Sequence, residues 1–198
     1  MGKLRFALVL LQKKVLSDNS VILSSILGVS ALYAQSKSAT TTLNIKLQPI
    51  QTIIVNGSQT VVDIVYNTKN KYNNGVSVTE IDHLEVFSTG GFTVSVKSDG
   101  NFKNTNGEEF IDAKDVLVSA TQGSTNPSDE SSTTYAPATG LKTSSNNLIT
   151  SQGGRDLTFN VTYNNAAGKN DKYINKYIAR DGTESVYTAT VTYTIAAQ

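Results

Sequence analysis

A two-residue alternation of apolar and polar side chains constrains this chain more than any other feature. It is clearest near the end, where Tyr187, Ala189, Val191, Tyr193 and Ile195 are separated by Thr188, Thr190, Thr192 and Thr194. Successive side chains of a strand point to opposite faces, so such a run makes a strand with one buried and one polar face. The same period recurs at Leu43, Ile45 and Leu47, at Val62, Ile64 and Tyr66, and at Leu157, Phe159, Val161 and Tyr163. No helical period runs through residues 35–198. The expectation is an all-β fold, an antiparallel β-sandwich of the immunoglobulin-like kind, built from short strands with turn signals between them.

Further strands are expected at Ile50–Val55, after an interruption at Gln48-Pro49, and at Thr60–Tyr66. Proline cannot donate to a ladder, so Pro49 belongs at a strand end or where the chain changes partners. Asn73-Asn74-Gly75 reads as a turn. Gly90-Gly91 lies between two alternating runs, His83–Thr89 and Phe92–Lys97, and reads as the turn of a hairpin. A short strand is expected at Val116–Val118. Gln122–Asn147 is rich in Ser, Thr, Asn and Pro and reads as a long surface loop, with one short edge strand near Tyr135 or Leu141. Asn164–Asp171 is expected to be loop and Tyr173–Ile178 an edge strand. Tyr187–Ile195, half-buried and rich in β-branched residues, is expected in the centre of a sheet.

Residues 1–34 read as a signal peptide. Lys13 and Lys14 precede an apolar run, Val21–Leu32, which ends near the small residues Ala31 and Ala34, before the polar tract Gln35-Ser36-Lys37-Ser38. The run has the length of a signal-peptide core and is too short to span a membrane. Cleavage is expected after Ala34, so that the exported protein begins at Gln35. The chain then divides into the signal peptide (1–34), an N-terminal extension (35–49) and a sandwich domain (50–198). The 164 residues after Ala34 can bury a self-sufficient core, so the absence of Cys is no handicap outside the cell.

Composition argues against several functions. A net charge of +1, with no basic aromatic stripe, suggests no nucleic-acid partner. Catalysis needs an acid, a base and a nucleophile held together, and the single His, His83, has no Ser/Asp elbow near it in sequence. Its expected role is structural or superficial. Glu108-Glu109 and Asp112 to Asp115 lack the spacing of a calcium loop, Asp129-Glu130 sits in the polar loop, and Gly90-Gly91 and Gly153-Gly154 read as turns, not phosphate loops. No catalytic, cofactor-binding or metal-binding residues are assigned. A carbohydrate-binding or adhesive module remains an alternative, with Tyr135, Tyr173 and Tyr177 as candidate sugar platforms.

The segment SATTTLNIKLQPIQTIIVN resembles the start of the alpha-class, colonisation-factor type of chaperone–usher pilins, in which an alternating strand is followed by a proline and then by the first strand of the body. Leu43, Ile45 and Leu47 match the alternating positions, Pro49 the proline and Ile50–Val55 the next strand. The ending, ESVYTATVTYTIAAQ, is similar to the last strand of those pilins and of spore-coat-U-like secreted sandwiches. The whole chain also resembles small secreted proteins of the Bacteroidota. The resemblance implies a sandwich that lacks one strand and is completed by donor-strand exchange, in which Leu43, Ile45 and Leu47 enter the next subunit. It implies a head-to-tail homopolymer, a periplasmic chaperone, an outer-membrane usher, and a fibre on the surface of a Gram-negative bacterium. Many such pilins carry a penultimate Tyr that aids chaperone recognition; here Ala197 stands in that place. The residues alone leave a second reading open, in which Leu43–Leu47 is the first strand of its own sandwich.

Overall fold

The computed structural model describes residues 37–105, 110–126, 132–178 and 181–198. The segment read as a signal peptide (1–34), the cleavage expected before Gln35, Glu108-Glu109 and Asp129-Glu130 lie outside the described residues. The chain divides into two units, Met1–Ile45 and Lys46–Gln198. Within the first, residues 37–45 form neither strand nor helix.

The second unit is mostly β, in antiparallel sheets, with one short helix. Its strands are β1 (Gln51–Val55), β2 (Val76–Ser88), β3 (Phe92–Ser98), β4 (Phe102–Asn104), β5 (Phe110–Ile111), β6 (Leu117–Gln122), β7 (Thr134–Tyr135), β8 (Thr139–Gly140), β9 (Asn146–Ser151), β10 (Gly154–Asn165), β11 (Tyr187–Thr188) and β12 (Val191–Ala197). A five-stranded sheet has the order β1-β2-β10-β6-β8, a four-stranded sheet the order β12-β3-β9-β7, and a small sheet the order β11-β4-β5.

The two larger sheets share one core. Leu84, Val86, Val118, Leu157, Phe159 and Val161 from the first meet Phe92, Val94, Val96, Leu148 and Ile149 from the second in a single buried cluster. Phe159 stands at its centre, edge-on to Phe92 at 6.5 Å and to Tyr135 at 6.3 Å between ring centroids. Its neighbours on β10 keep the expected alternation, with Leu157, Val161 and Tyr163 also buried.

β2 departs from simple alternation at one point. Leu84 pairs with Phe159 and Glu80 with Val161, so Ile81, Asp82 and His83 together face Asn160 alone. Asp82 adopts φ 50° there, which Asp tolerates better than most residues. Asn160 Oδ1 accepts from the Asp82 backbone N–H at 2.8 Å, and the Asp82 carboxylate accepts from Ser124 N–H at 2.7 Å and from the Ser124 hydroxyl. These bonds hold the Asp82 carboxyl below its usual pKa. The bulge turns two consecutive residues, His83 and Leu84, into the interior.

Several expectations need correction. Gly90-Gly91 is not a hairpin turn: β2 and β3 belong to different sheets, and the glycines carry the chain round a corner between them. Alternation reveals which face of a strand is buried, not which sheet it joins. Thr60–Tyr66 is extended, with Val62, Ile64 and Tyr66 turned inward and Val61, Asp63 and Val65 outward, yet it joins no ladder. Asn73-Asn74-Gly75 ends a short helix, α1 (Lys69–Asn74), capped by the Thr68 hydroxyl at one end and by Gly75, at φ 80°, at the other. Six residues are too few to reveal a helical period. Tyr173–Ile178 is not a strand: Tyr173 is buried and Ile174–Lys176 forms a 3-10 turn. Tyr173 accepts from Asn165 Nδ2 at 3.2 Å and donates to Asp115 at 2.9 Å. Both places expected for an edge strand in Gln122–Asn147 hold one, β7 at Tyr135 and β8 beside Leu141.

Tyr187–Ile195 is not one central strand. Tyr187 pairs with Asn104 in the small sheet, the chain breaks step at Ala189-Thr190, and β12 then pairs only with β3, at the edge of the four-stranded sheet. Thr190 and Asp99 make the break, exchanging backbone and side-chain bonds of 2.9 Å.

Because Phe159 touches both sheets, truncating it should be costly. Phe159→Ala is expected to lower unfolding stability by about 3–5 kcal/mol, whereas Val61→Ala, at a side chain 76% exposed, should change it by less than about 0.5 kcal/mol. Urea unfolding of both variants checks this.

Candidate functional site: an open seam between two sheet edges

The edge strands β1 and β12 lie side by side without hydrogen-bonding to each other. Among the described residues β1 pairs only with β2 and β12 only with β3, so each is a sheet edge whose outward backbone N–H and C=O groups join no ladder. The inward side chains follow the same division. On β3 and β10 they are fully buried, but Ile53 and Val55 on β1, Val191, Tyr193 and Ile195 on β12, and Val62 and Ile64 on the extended segment after β1 are only partly covered, though all pack against the core. The core is therefore incomplete along this side.

Polar contacts tie the seam together. Near one end the Gly91 carbonyl accepts from Gln198 N–H at 3.1 Å and from Gln51 Nε2 at 3.4 Å, joining the end of β12 to the start of β1. A cavity of about 420 Å³ opens there, lined by Pro49, Gln51, Thr89, Gly90, Gly91, Ala197 and Gln198. Further along runs a chain of side chains. Gln59 Nε2 donates to the Ile81 carbonyl at 2.9 Å, which turns Gln59 Oε1 toward His83 Nδ1, 3.0 Å away. Only a protonated Nδ1 can bond to that oxygen, so in the neutral ring Nε2 is left to accept from the Tyr163 hydroxyl at 2.9 Å. Tyr193 then donates to Tyr163 at 2.5 Å. Burial pushes the Tyr163 phenol up to about 12, the Tyr193 phenol well above its ordinary value, and the His83 imidazole below its own.

Leu43, Ile45 and Leu47 are 86%, 83% and 91% exposed. None of residues 37–49 joins a ladder or forms regular structure. Pro49 borders the cavity, and Ile50 is held to Thr89 by bonds of 3.0 and 3.1 Å. Of the C-terminal residues singled out in the sequence, Val191, Tyr193 and Ile195 line the seam; Tyr187 lies in the small sheet, its hydroxyl on the Lys176 carbonyl at 2.7 Å.

The other candidates do not converge. Tyr135 packs on Phe159, Tyr173 is buried against Asp115, and only Tyr177 is exposed, its hydroxyl on the Thr183 carbonyl at 2.7 Å. Asp112 pairs with Lys114 on the surface and Asp115 with Lys172. Among the described residues no three metal-ligating side chains cluster, and no helix is long and apolar enough to cross a membrane. Sequence reading missed Gln59, Tyr163 and the role of Ile53 in the seam; the alternation of Tyr163 was visible, its hydroxyl's partners were not.

Buried His83 has a lowered pKa, so the folded protein resists its protonation more than the unfolded chain does. Its contribution is intact above the unfolded value of 6.5 and is lost as pH falls from there toward the folded value. The thermal midpoint should fall between pH 7 and pH 5, and His83→Gln should flatten that slope; thermal scans of both proteins across the range test it. Comparison with protein-family models and with curated proteins finds no match.

Proposed function

We propose that this chain is a structural subunit of a bacterial extracellular fibre, with an immunoglobulin-like sandwich that lacks one strand and receives Leu43–Leu47 of the next copy. One observation carries the reading: a seam with two unpaired edges and a partly covered apolar floor occurs in the same chain as an exposed segment, outside any ladder, whose aliphatic side chains have the matching period. The seven residues of β12 span roughly 23 Å, ample for a strand that presents three aliphatic side chains. Leu43, Ile45 and Leu47 repeat every second residue, as Val191, Tyr193 and Ile195 do. With a donor strand seated, β12 becomes an interior strand.

The energetics suffice. Burying three aliphatic side chains is worth about 1.5–3 kcal/mol each, roughly 5–9 kcal/mol per junction, before backbone pairing is counted. Each subunit carries one donor and one acceptor in different places, so the contact is heterologous and grows as an open chain. An uncovered seam is an aggregation hazard; the partners this implies are a periplasmic chaperone that covers it before assembly and an outer-membrane usher that orders the exchange. Ala197, in the place of the penultimate pilin Tyr, leaves the chaperone contact to other residues.

Ile45→Asp should abolish polymer while leaving the thermal midpoint of the monomer within about 2 °C, because the charge enters a partner's seam and not its own core. Moving residues 35–48 to a position after Gln198, behind a short flexible linker, should give a monomer of raised midpoint, since the tether supplies millimolar effective concentration. Sedimentation and thermal scans read both. Polymer that survives Ile45→Asp would sink the proposal.

A further inference from the structure

The seam and the strand proposed to fill one are joined by only three residues, Gln48, Pro49 and Ile50. Closing its own seam would satisfy each subunit and end growth. We propose that the Gln48-Pro49-Ile50 connection bars self-capture, so that Leu43–Leu47 can fill only another copy; this rests on the donor-strand reading above.

The first bar is parity. The inward residues of β1 are Gln51, Ile53 and Val55, while Ile50, Thr52 and Ile54 face out. In a hairpin with β1, a two-residue loop of Gln48-Pro49 would set Leu47, Ile45 and Leu43 opposite Ile50, Thr52 and Ile54. Paired residues share a face, so all three aliphatics would point away from the core. Only an odd loop turns them inward, and the shortest is Gln48-Pro49-Ile50, which sets Leu47 opposite Gln51, Ile45 opposite Ile53 and Leu43 opposite Val55.

The second bar is the chemistry of that loop. A three-residue hairpin loop is a type I turn followed by a residue in the left-handed region. Each position here holds an unsuitable residue. Proline at the second place of a type I turn forces its predecessor out of the helical region that the turn requires, so Pro49 disqualifies Gln48. The third place, with positive φ, falls to β-branched Ile50, where such a backbone is an outlier. Ile50 would also forfeit its bonds to Thr89.

Reaching β12 instead does not escape the difficulty. The start of β1 and the end of β12 share the Gly91 carbonyl through Gln51 and Gln198, so a strand laid along β12 must still turn back within Gln48-Pro49-Ile50. With Ile50 held at Thr89, the three Cα steps to Leu47 span at most about 11 Å, which leaves no residue outside that loop to make the reversal. The same strand in a second copy arrives without these restraints.

The test repairs the loop in the full exported chain. Gln48→Pro, Pro49→Asp and Ile50→Gly together supply proline, a turn former and glycine where the three-residue loop wants them. At micromolar concentration the tethered strand then outcompetes a neighbour's by roughly a hundredfold or more. Polymer should be lost, the monomer's thermal midpoint should rise, and the amides of residues 43–47 should gain hydrogen-exchange protection. Adding Ile45→Asp to this variant should now lower the midpoint, although the same change in the unaltered chain does not. A repaired chain that polymerises like the unaltered one, with unprotected amides and a midpoint indifferent to Ile45→Asp, overturns the proposal, as does a monomeric unaltered chain whose residues 43–47 are already protected. Polymer of the unaltered chain that ignores Ile45→Asp rejects the donor-strand reading itself, and the connection's role with it. If the triple variant does not fold, Pro49→Asp with Ile50→Gly still frees Gln48 and supplies the left-handed residue, and it is read in the same way.

Discussion

The need of every backbone polar group for a partner governs this structure. Within the sheets the ladders meet it, and where a sheet ends the groups must face water, another strand or a cover. Most edges here are short: β7 and β8 have two residues each. The longest edge among the described residues is β12, seven residues long, regular and open along one side. Beside it β1 is open too. The partly covered side chains of the seam follow from the same fact, because a layer that stops one strand early cannot close over the residues beneath it.

The polar chain from Gln59 through His83 and Tyr163 to Tyr193 crosses this incomplete region. Each member uses a bond that the next requires, so the hydroxyl of Tyr193 is satisfied from within and its ring is held at the floor of the seam. A donor strand would meet an arrangement already fixed, and little ordering would be left to oppose binding. The Gly91 carbonyl, shared by Gln51 and Gln198, fixes the other end in the same way.

The alternation made much of this legible. It marked the strand character of β10 and β12 and the inward faces of the segment after β1 and of β12. What it could not supply was the sheet to which a strand belongs: β2 and β3 looked like a hairpin because Gly90-Gly91 suits a tight turn, and only the competition of β1, β10, β12 and β9 for partners separates them. β9 escaped notice because a bulge opposite Val94 and Ser95 puts adjacent Leu148 and Ile149 both inside, which breaks the period that reveals a strand. Tyr187–Ile195 looked continuous because Ala189 keeps the rhythm; the exchange between Thr190 and Asp99 that divides it is a tertiary contact. The seam was foreshadowed only by the alternating Leu43–Leu47 segment, which is proposed to fill one.

The bulge in β2 carries a consequence for how such a chain can vary in length. Three residues there stand opposite one, an excess of two, and two is the period of a strand. The faces before and after the bulge therefore remain in step: Val78 and Glu80 on one side and Leu84 and Val86 on the other are all even-numbered positions turned the same way. Loss of one residue at Ile81–His83 would invert one arm of the strand, whereas loss of two would leave a plain ladder with both arms correctly faced. Relatives of this chain should differ at that point by even numbers of residues.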